Sequence, residues 1–419
     1  MRIQAPRGTE DVVPAKAALW QEIESAYHHI AALYGYREIR TPVFEDVQLF
    51  KRTAGETSDI VDKEMYEFRD KGDREIALKP EGTAPAIRAV LEHNLCPTGT
   101  HLRLWYATAC YRYGRPGAGR LRELHQLGAE LLGSSSADAD AEVIELAIRF
   151  FDSLGIKDVP VKVNSIGRNE CRSKFRDVIL DHVKAYLKDA DELTRGKIEK
   201  NPLGMLDSKD PKQKEALQGL PSILEFLEDD SKQRFDSLQS LLSEAQVPYT
   251  VAPEIVRGLD YYTETVFEYE HPALPGLSVF GGGRYDNLVS QLGGQSTPCV
   301  GYGIGMERLL AVLEKLEHET KQPAPLAFVV QASESAGPQA RAIARGGRAS
   351  GIAISLDLDR RSLKSQMRQA DGSGAIYALI IGDDELAQNK ASVKNLETSE
   401  QQLVAFDQVV EFLCENSSR

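Results

Sequence analysis

The sequence predicts an α+β chain in two parts: a large region of helices and antiparallel strands, then a smaller α/β domain. Three observations carry that expectation. Residues 102–113 (LRLWYATACYRY) and 122–132 (RELHQLGAELL) read as two strands around the loop RPGAGR, whose glycines permit a sharp reversal. Between about 168 and 245 the texture turns helical and charge-rich, which marks an insertion. Beyond a polar, proline-containing linker at 315–325, strands at 326–331, 352–356 and 375–381 alternate with helices at about 337–350 and 362–371. That alternation is the pattern of an independent α/β domain, so the expected domains are 1–325 and 326–419.

The remaining elements follow in chain order. From 16 to 33 the apolar residues Leu19, Trp20, Ile23, Tyr27, Ile30 and Leu33 recur at helical spacing, with Glu22 and Glu24 on the wet side. A strand is expected to end at Pro42, which lacks a backbone donor and so belongs at a sheet edge or an interface. A helix at 141–154 and a buried strand at 159–164 precede the insertion, whose Phe175, Val178, Ile179, Val183 and Tyr186 form one buried stripe. Strand signals return at 265–270 (TVFEYE) and 277–280 (LSVF), followed by GGGRYDNL and by a glycine-rich strand running into a helix, GYGIGMERLLAVLEKL.

Composition narrows the function classes. With 42% hydrophobic and 27% charged residues, a disordered or fibrous chain is excluded. A net charge of −13 weighs against a non-specific nucleic-acid coat, so a nucleic-acid partner needs local basic patches. Cys96, Cys110, Cys171, Cys299 and Cys414 are an odd number with no C-x-x-C pair, so neither a disulfide framework nor a zinc ribbon is expected and a reducing cytoplasm fits. The polar start MRIQAPRGTEDVVPAK and the lack of a long apolar run predict an unexported protein without membrane spans.

No G-x-x-x-x-G-K-[ST] and no G-x-G-x-x-G is present, so Gly281–Gly283 and Gly301, Gly303 and Gly305 signal neither a P-loop nor a dinucleotide fold. Taken alone they relieve crowding in turns or bulges; followed by Arg284, Tyr285 and Asp286, a functional role gains ground. Arg112, Arg115, Arg120 and Arg122 stand together with Glu123 alone opposing them. Arginine offers a planar fork of donors suited to phosphate oxygens, the other reading being a solvated surface. In KPEGTAPAIR, Glu81 and Thr83 sit in a turn before a helix, either as an N-terminal cap or as site residues. In RGLDYYTETVFEYE, Arg257 precedes two tyrosines that are either core aromatics or pocket residues. The eight histidines show no H-E-x-x-H or single-face spacing, so no protein-held metal is expected, and His125 reads as structural.

Together PRGTEDVVP, TPVFE, LKPEGTA, CYRYGRPGAGRLRELHQLGAE, VRGLDYYTETVFEYE, GGGRYDNLVSQLGG and GYGIGMERLL resemble the histidyl-tRNA synthetase family in order and distance, over essentially the whole chain. The resemblance implies a class II synthetase catalytic domain, an antiparallel sheet flanked by helices, with the helical insertion and a C-terminal anticodon-binding domain. It implies a homodimer with the Pro42 region at its interface. It also implies a two-step reaction in which histidine and ATP, with Mg²⁺, give histidyl-adenylate before the acyl group moves to tRNA(His). By resemblance, Arg112 holds the α-phosphate and substrate carboxylate, and Arg257 meets the charge developing at the reacting centre. Arg308 holds the γ-phosphate, with Arg120 and Gly305 also on ATP. Glu130 and Tyr262 read the imidazole, Glu81, Thr83 and Gln126 hold the α-amino end, and Tyr285 lines the pocket. The family pattern differs at Gly114, where Glu is usual, at Gly117 for Gln, at Lys79 for Arg, and at Glu264 for Gly or a small polar residue.

For tRNA, residues 321–370 carry eight Lys/Arg against three Asp/Glu, whereas 371–419 carry three against nine. That polarity makes Arg360, Arg361, Lys364 and Arg368 the expected RNA-facing surface, together with Arg115 of the arginine loop. The rival readings are a non-catalytic paralogue, such as the regulatory subunit of ATP phosphoribosyltransferase, and a synthetase-like RNA-binding module. The paralogue lacks an anticodon-binding domain, whereas this chain keeps 326–419 and the whole arginine set.

Overall fold

The computed structural model describes residues 3–53, 60–117, 119–157, 160–259 and 261–416. Val159, expected to open a strand, and Asp260 lie outside the described residues. The chain divides into two compact units between Thr320 and Lys321.

The first unit is built on an eight-stranded sheet in the order Arg37–Glu38, Leu102–Tyr111, Glu123–Leu132, Cys299–Gly305, Ser278–Arg284, Thr263–Glu270, Val161–Ser165, Tyr249–Val251. Pairing is antiparallel through the middle and parallel only at the two edges. Side chains alternate between faces of a strand, and here the alternation separates core from site. Leu127, Ala129 and Leu131 join Val300, Tyr302 and Ile304 in one apolar core. Helices Pro14–Leu33, Ala137–Ser153 and Met306–Lys315 add Ile23, Tyr27, Ile144, Phe150 and Leu309 to it. The in-between residues Gln126, Gly128 and Glu130 face the other way, paired with Gly305, Gly303 and Gly301. On that second face the helical insertion packs Phe175, Ile179 and Ile198 together with Ile87 and Val90 of helix Thr83–Glu92 and with Tyr261, Tyr262 and Tyr285.

Local chemistry explains where the helices begin. Proline stands at the first position of Pro14–Leu33, where its missing donor costs nothing, and Leu19, Ile23, Tyr27 and Ala31 repeat every four residues on the buried side. The insertion is helical from Asn169 to Glu244, in separate segments.

Two strand expectations change. The strand before Pro42 shrinks to Arg37–Glu38, and the chain after Pro42 joins a separate three-stranded sheet of Phe44–Asp46, Glu75–Leu78 and Tyr66–Arg69. Gly281–Gly283 lie inside strand Ser278–Arg284 rather than in a turn, with a register shift between Gly283 and Arg284. The second unit has a five-stranded sheet ordered Ile354–Leu356, Ala327–Gln331, Tyr377–Ile381, Lys390–Asn395, Gln401–Ala405. Its first three strands are parallel, as the βαβ pattern requires, and the last two add an antiparallel hairpin.

Candidate active site

The second face of the large sheet is floored with glycine, and side chains lie where its Cβ atoms would be. A Cβ at Gly301 would fall 1.7 Å from Glu130 Oε2, and one at Gly281 would fall 2.3 Å from Arg257 Nη1. At Gly283 it would come within 3.0 Å of the Tyr262 ring, and at Gly303 within 3.5 Å of the Gln126 amide. Gly82 and Gly128 accommodate Tyr106, whose ring would lie 2.3 Å and 2.2 Å from their Cβ positions. Gly281 and Gly301 therefore make room for the site's own side chains, while in the same GGGR strand Gly282 and Gly283 are crowded first by backbone, Gly301 O at 2.1 Å and Thr265 O at 2.5 Å.

One half of the site is a buried polar pocket. Glu130 is wholly buried. Its Oε1 accepts from the Tyr106 hydroxyl at 3.0 Å and its Oε2 accepts from the Tyr285 hydroxyl. Burial pushes the Glu130 carboxyl up to about 8, against the lowering effect of the Tyr285, Thr83 and Tyr106 hydroxyls. The Thr83 hydroxyl lies 3.4 Å from that of Tyr106. Gln126 Oε1 accepts from Gly82 N at 3.1 Å. Glu81 accepts from the Thr83 and Ala84 amides at 2.6 and 2.8 Å, so it does cap helix Thr83–Glu92. Burial raises its pKa above the ordinary carboxylate value, with those two amides and Arg112 pulling it down. Tyr262 and Tyr261 close the pocket, their rings 4.7 Å apart, and Tyr261 meets Tyr285 edge-on at 5.6 Å.

The other half is cationic. Arg257 Nη1 donates to Glu268 Oε2 at 2.8 Å, its guanidinium lies 5.9 Å from the Tyr262 ring centroid, and its buried Nε has no hydrogen-bond partner among the described residues. Arg112 Nε donates to Pro80 O at 2.8 Å, beside Glu81. Arg308 donates to Ser278 O at 2.6 Å and to Gly119 O at 3.3 Å. Its pKa is lowered first by burial and then by Arg120 and Arg112, with Arg257 adding to the effect. Four guanidinium groups thus share one electrostatic neighbourhood. Gly305 starts the helix that carries Arg308 and lies over its side chain. Arginines on one side and a buried carboxyl among hydroxyls on the other suit an anion joined to a small polar ring.

The sequence-derived residues Arg112, Arg257, Arg308, Arg120, Gly305, Glu81, Thr83, Gln126, Glu130, Tyr262 and Tyr285 therefore lie in one connected region. Arg115 is exposed on the adjoining loop. Glu64 Oε1 sits 3.2 Å from the Cβ position of Gly114. Arg284 and Asp286 take no part. Arg284 is wholly buried, pairs with Asp140 at 2.6 Å and with Asp286 at 3.2 Å, and donates to Ser134 O and Ser136 O. His125 is held against Glu307, its Nδ1 2.9 Å from Oε1.

Two site residues escaped the sequence reading. Tyr106 stands in an apolar strand, and only its pairing with Gly128 marks it. Glu268, the partner of Arg257, is marked by its pairing with Gly281. In the C-terminal unit, Arg360, Arg361, Lys364 and Arg368 are all exposed. Arg360 pairs with Glu334 at 3.3 Å and Arg361 with Asp359 at 2.7 Å. Beneath them a buried amide clasp holds the loop. Gln366 accepts from Gln331 N and donates to Gln331 O and Arg361 O, and Gln331 donates to Asp357 O.

Comparison with known proteins accords with this geometry. Residues 8–309 match the model of the histidyl-tRNA synthetase family and residues 326–416 that of an anticodon binding domain. A histidine-tRNA ligase of Acaryochloris marina is 44% identical over 404 residues, covering 96% of this chain and 94% of that protein. One of Clostridioides difficile is 42% identical over 417 residues, 99% of each. The crystal structure of apo S. aureus histidyl-tRNA synthetase superposes with a TM-score of 0.83 at 32% identity, over 98% of this chain and 100% of that one. With a glycine-floored site, a four-arginine cluster and matches across both units, the chain belongs to the histidyl-tRNA synthetase family.

Proposed function

We propose that this protein is a histidine-tRNA ligase: it joins histidine to ATP as histidyl-adenylate, releases pyrophosphate, and transfers the histidyl group to tRNA(His). The observation that carries the reading is the shared neighbourhood of Arg112, Arg120, Arg257 and Arg308 next to the Glu130 pocket. Attack of a carboxylate on the α-phosphate brings anions together, so preorganised positive charge and alignment do the work. At an effective dielectric of about 20, two unit charges about 4 Å apart interact by about 4 kcal/mol, so one guanidinium is worth orders of magnitude in rate.

In this reading Arg112 holds the α-phosphate and the substrate carboxylate, and Arg257 stabilises the charge that develops at the reacting centre. Arg308, Arg120 and Gly305 take the rest of the triphosphate. Glu81, Thr83 and Gln126 hold the α-amino group; Glu81 keeps lone pairs for it although two amides already donate to its carboxylate. Glu130 and Tyr262 read the imidazole, with Tyr285 lining the pocket. A carboxyl poised near 8 accepts or donates at working pH, which suits a neutral ring with one donor and one acceptor. Among the described residues no group of three or more His, Cys, Asp or Glu is arranged to hold a metal. Mg²⁺ therefore fits as a companion of the phosphates, its usual mode, and no step is assigned to it.

Arg115, Arg360, Arg361 and Lys364 are taken as tRNA contacts, and 326–419 as the anticodon-binding domain. The reading includes a homodimer through the Pro42 segment. Supporting it are the exposed Val43 and Phe44 and a hollow of about 550 Å³ where Ile39, Pro42 and Leu95 stand among the charged Arg40, Glu45 and Arg88. A cytoplasmic setting accords with five cysteines that form no disulfide among the described residues, and among the described residues no helix is long and apolar enough to cross a membrane. Two assays test the proposal. Histidine-dependent exchange of pyrophosphate into ATP and charging of tRNA(His) are both expected. No exchange with Mg²⁺ present would favour the non-catalytic paralogue.

A further inference from the structure

The helical insertion grips the start of the strand that follows Tyr262. Glu264 is almost wholly buried there, and its Oε1 accepts from Arg168 Nε and from Ser231 Oγ, each at 2.9 Å. Arg168 stands at the N-terminus of helix Asn169–His182, and Ser231 in the first turn of helix Asp229–Glu244. The backbone is tied to the same region. Glu264 N donates to Gly167 O at 3.1 Å, Ile166 N donates to Glu264 O at 2.8 Å, and Arg172 Nη1 donates to Tyr262 O at 2.7 Å. Glu264 also adopts a left-handed backbone, φ 54°, which a residue other than glycine keeps only where its surroundings over-determine it.

These contacts converge on one short stretch, Tyr262 to Glu264. Its side chain at Tyr262 lies over Gly283 and interacts with Glu130, whereas Arg112 and Arg308 are held by Pro80, Gly119 and Ser278, outside the insertion. We infer that Glu264 is a positioning residue through which the helical insertion, by way of Arg168 and Ser231 and beside the direct Arg172 bond to the Tyr262 carbonyl, sets the affinity of the pocket for the imidazole of histidine. The inference rests on the proposed reading of Tyr262 as an imidazole contact, and it makes the insertion part of amino-acid selection rather than an appendage.

The test is pyrophosphate exchange by the full chain with histidine and ATP varied separately. Glu264→Gly removes the carboxylate and fits the left-handed backbone, while Glu264→Gln keeps an oxygen that can accept from Arg168 and Ser231. Glu264→Gly is expected to raise the histidine KM about tenfold, the size of one charge-assisted hydrogen bond, and to leave the ATP KM unchanged. Glu264→Gln is expected to restore the wild-type histidine KM. Arg172→Ala, which cuts the bond to the Tyr262 carbonyl, should act like Glu264→Gly and covers the case in which that variant does not fold. An unchanged histidine KM in the folded variants, or equal rises for both substrates, would overturn the inference. No exchange by the wild-type chain would instead overturn the proposed function on which it rests.

Discussion

At the scale of single residues, the site is a set of pairings between a glycine and the side chain that lies over it, and this makes substitution effects separable. The atoms nearest a Cβ at Gly281 are those at the far end of the flexible Arg257 side chain. Gly281→Ala should therefore fold normally yet displace the guanidinium, and a shift of about 1 Å can cost about 10²-fold in rate. Steady-state kinetics beside a thermal melt would check it. Glu130 gives a pH prediction. Its carboxyl titrates near 8 in the folded chain, above the ordinary carboxylate range, so the folded state binds more protons than the unfolded one between those values. Stability then falls as pH rises through that window. Glu130→Gln should lack this loss, so melts from about pH 5 to about pH 9 should show the variant gaining on the wild type as pH rises. Little of this was legible beforehand. The motif strings named Glu130, but its partner Tyr106 lies in LRLWYATACY, where nothing local sets one aromatic apart. Only the cross-strand pairing with Gly128 does.

At the scale of elements, strong periodicity was readable and glycine-rich strands were not. The helices near 16–33 and 141–154 appeared within a few residues of their observed bounds, Pro14–Leu33 and Ala137–Ser153, because burial on one face repeats every three to four positions. GGGR carries no such signal, since its strand character comes from neighbours on both sides. The hairpin Lys390–Asn395 and Gln401–Ala405 was missed for a similar reason: its outer strand is short and largely exposed, with no alternation of buried and exposed positions. Two elements also lock through buried polar groups. Asp140 on helix Ala137–Ser153 neutralises Arg284 at the end of its strand, both wholly buried. Asp140→Ala would remove the fully buried partner of that charge, leaving it Asp286 and two carbonyls, and should cost up to about 3–5 kcal/mol in urea unfolding. Gln366→Ala should open the clasp under the Asp357–Arg361 loop. Each buried group left unpaired costs about 1–3 kcal/mol, so the melt should fall, and tRNA charging should weaken while pyrophosphate exchange is kept.

At the scale of the whole molecule, the sequence displayed the two-part plan because a polar linker separates two different strand and helix rhythms. The motif strings already named Glu81, Arg112, Glu130, Arg257 and Arg308, which span more than half the chain, but their convergence across the sheet became visible only in the fold. Deleting 326–419 should abolish charging of tRNA(His) while leaving histidine-dependent exchange, a pair of assays that separates activation from RNA recognition. The central claim is that one nucleotide-binding arginine cluster and one imidazole pocket form a single continuous site. A crystal structure with a non-hydrolysable histidyl-adenylate analogue measures this most directly. The imidazole should lie between Glu130 and Tyr262 with the phosphate against Arg112 and Arg257. An analogue bound elsewhere, or one whose ring and phosphate leave those side chains untouched, would contradict it.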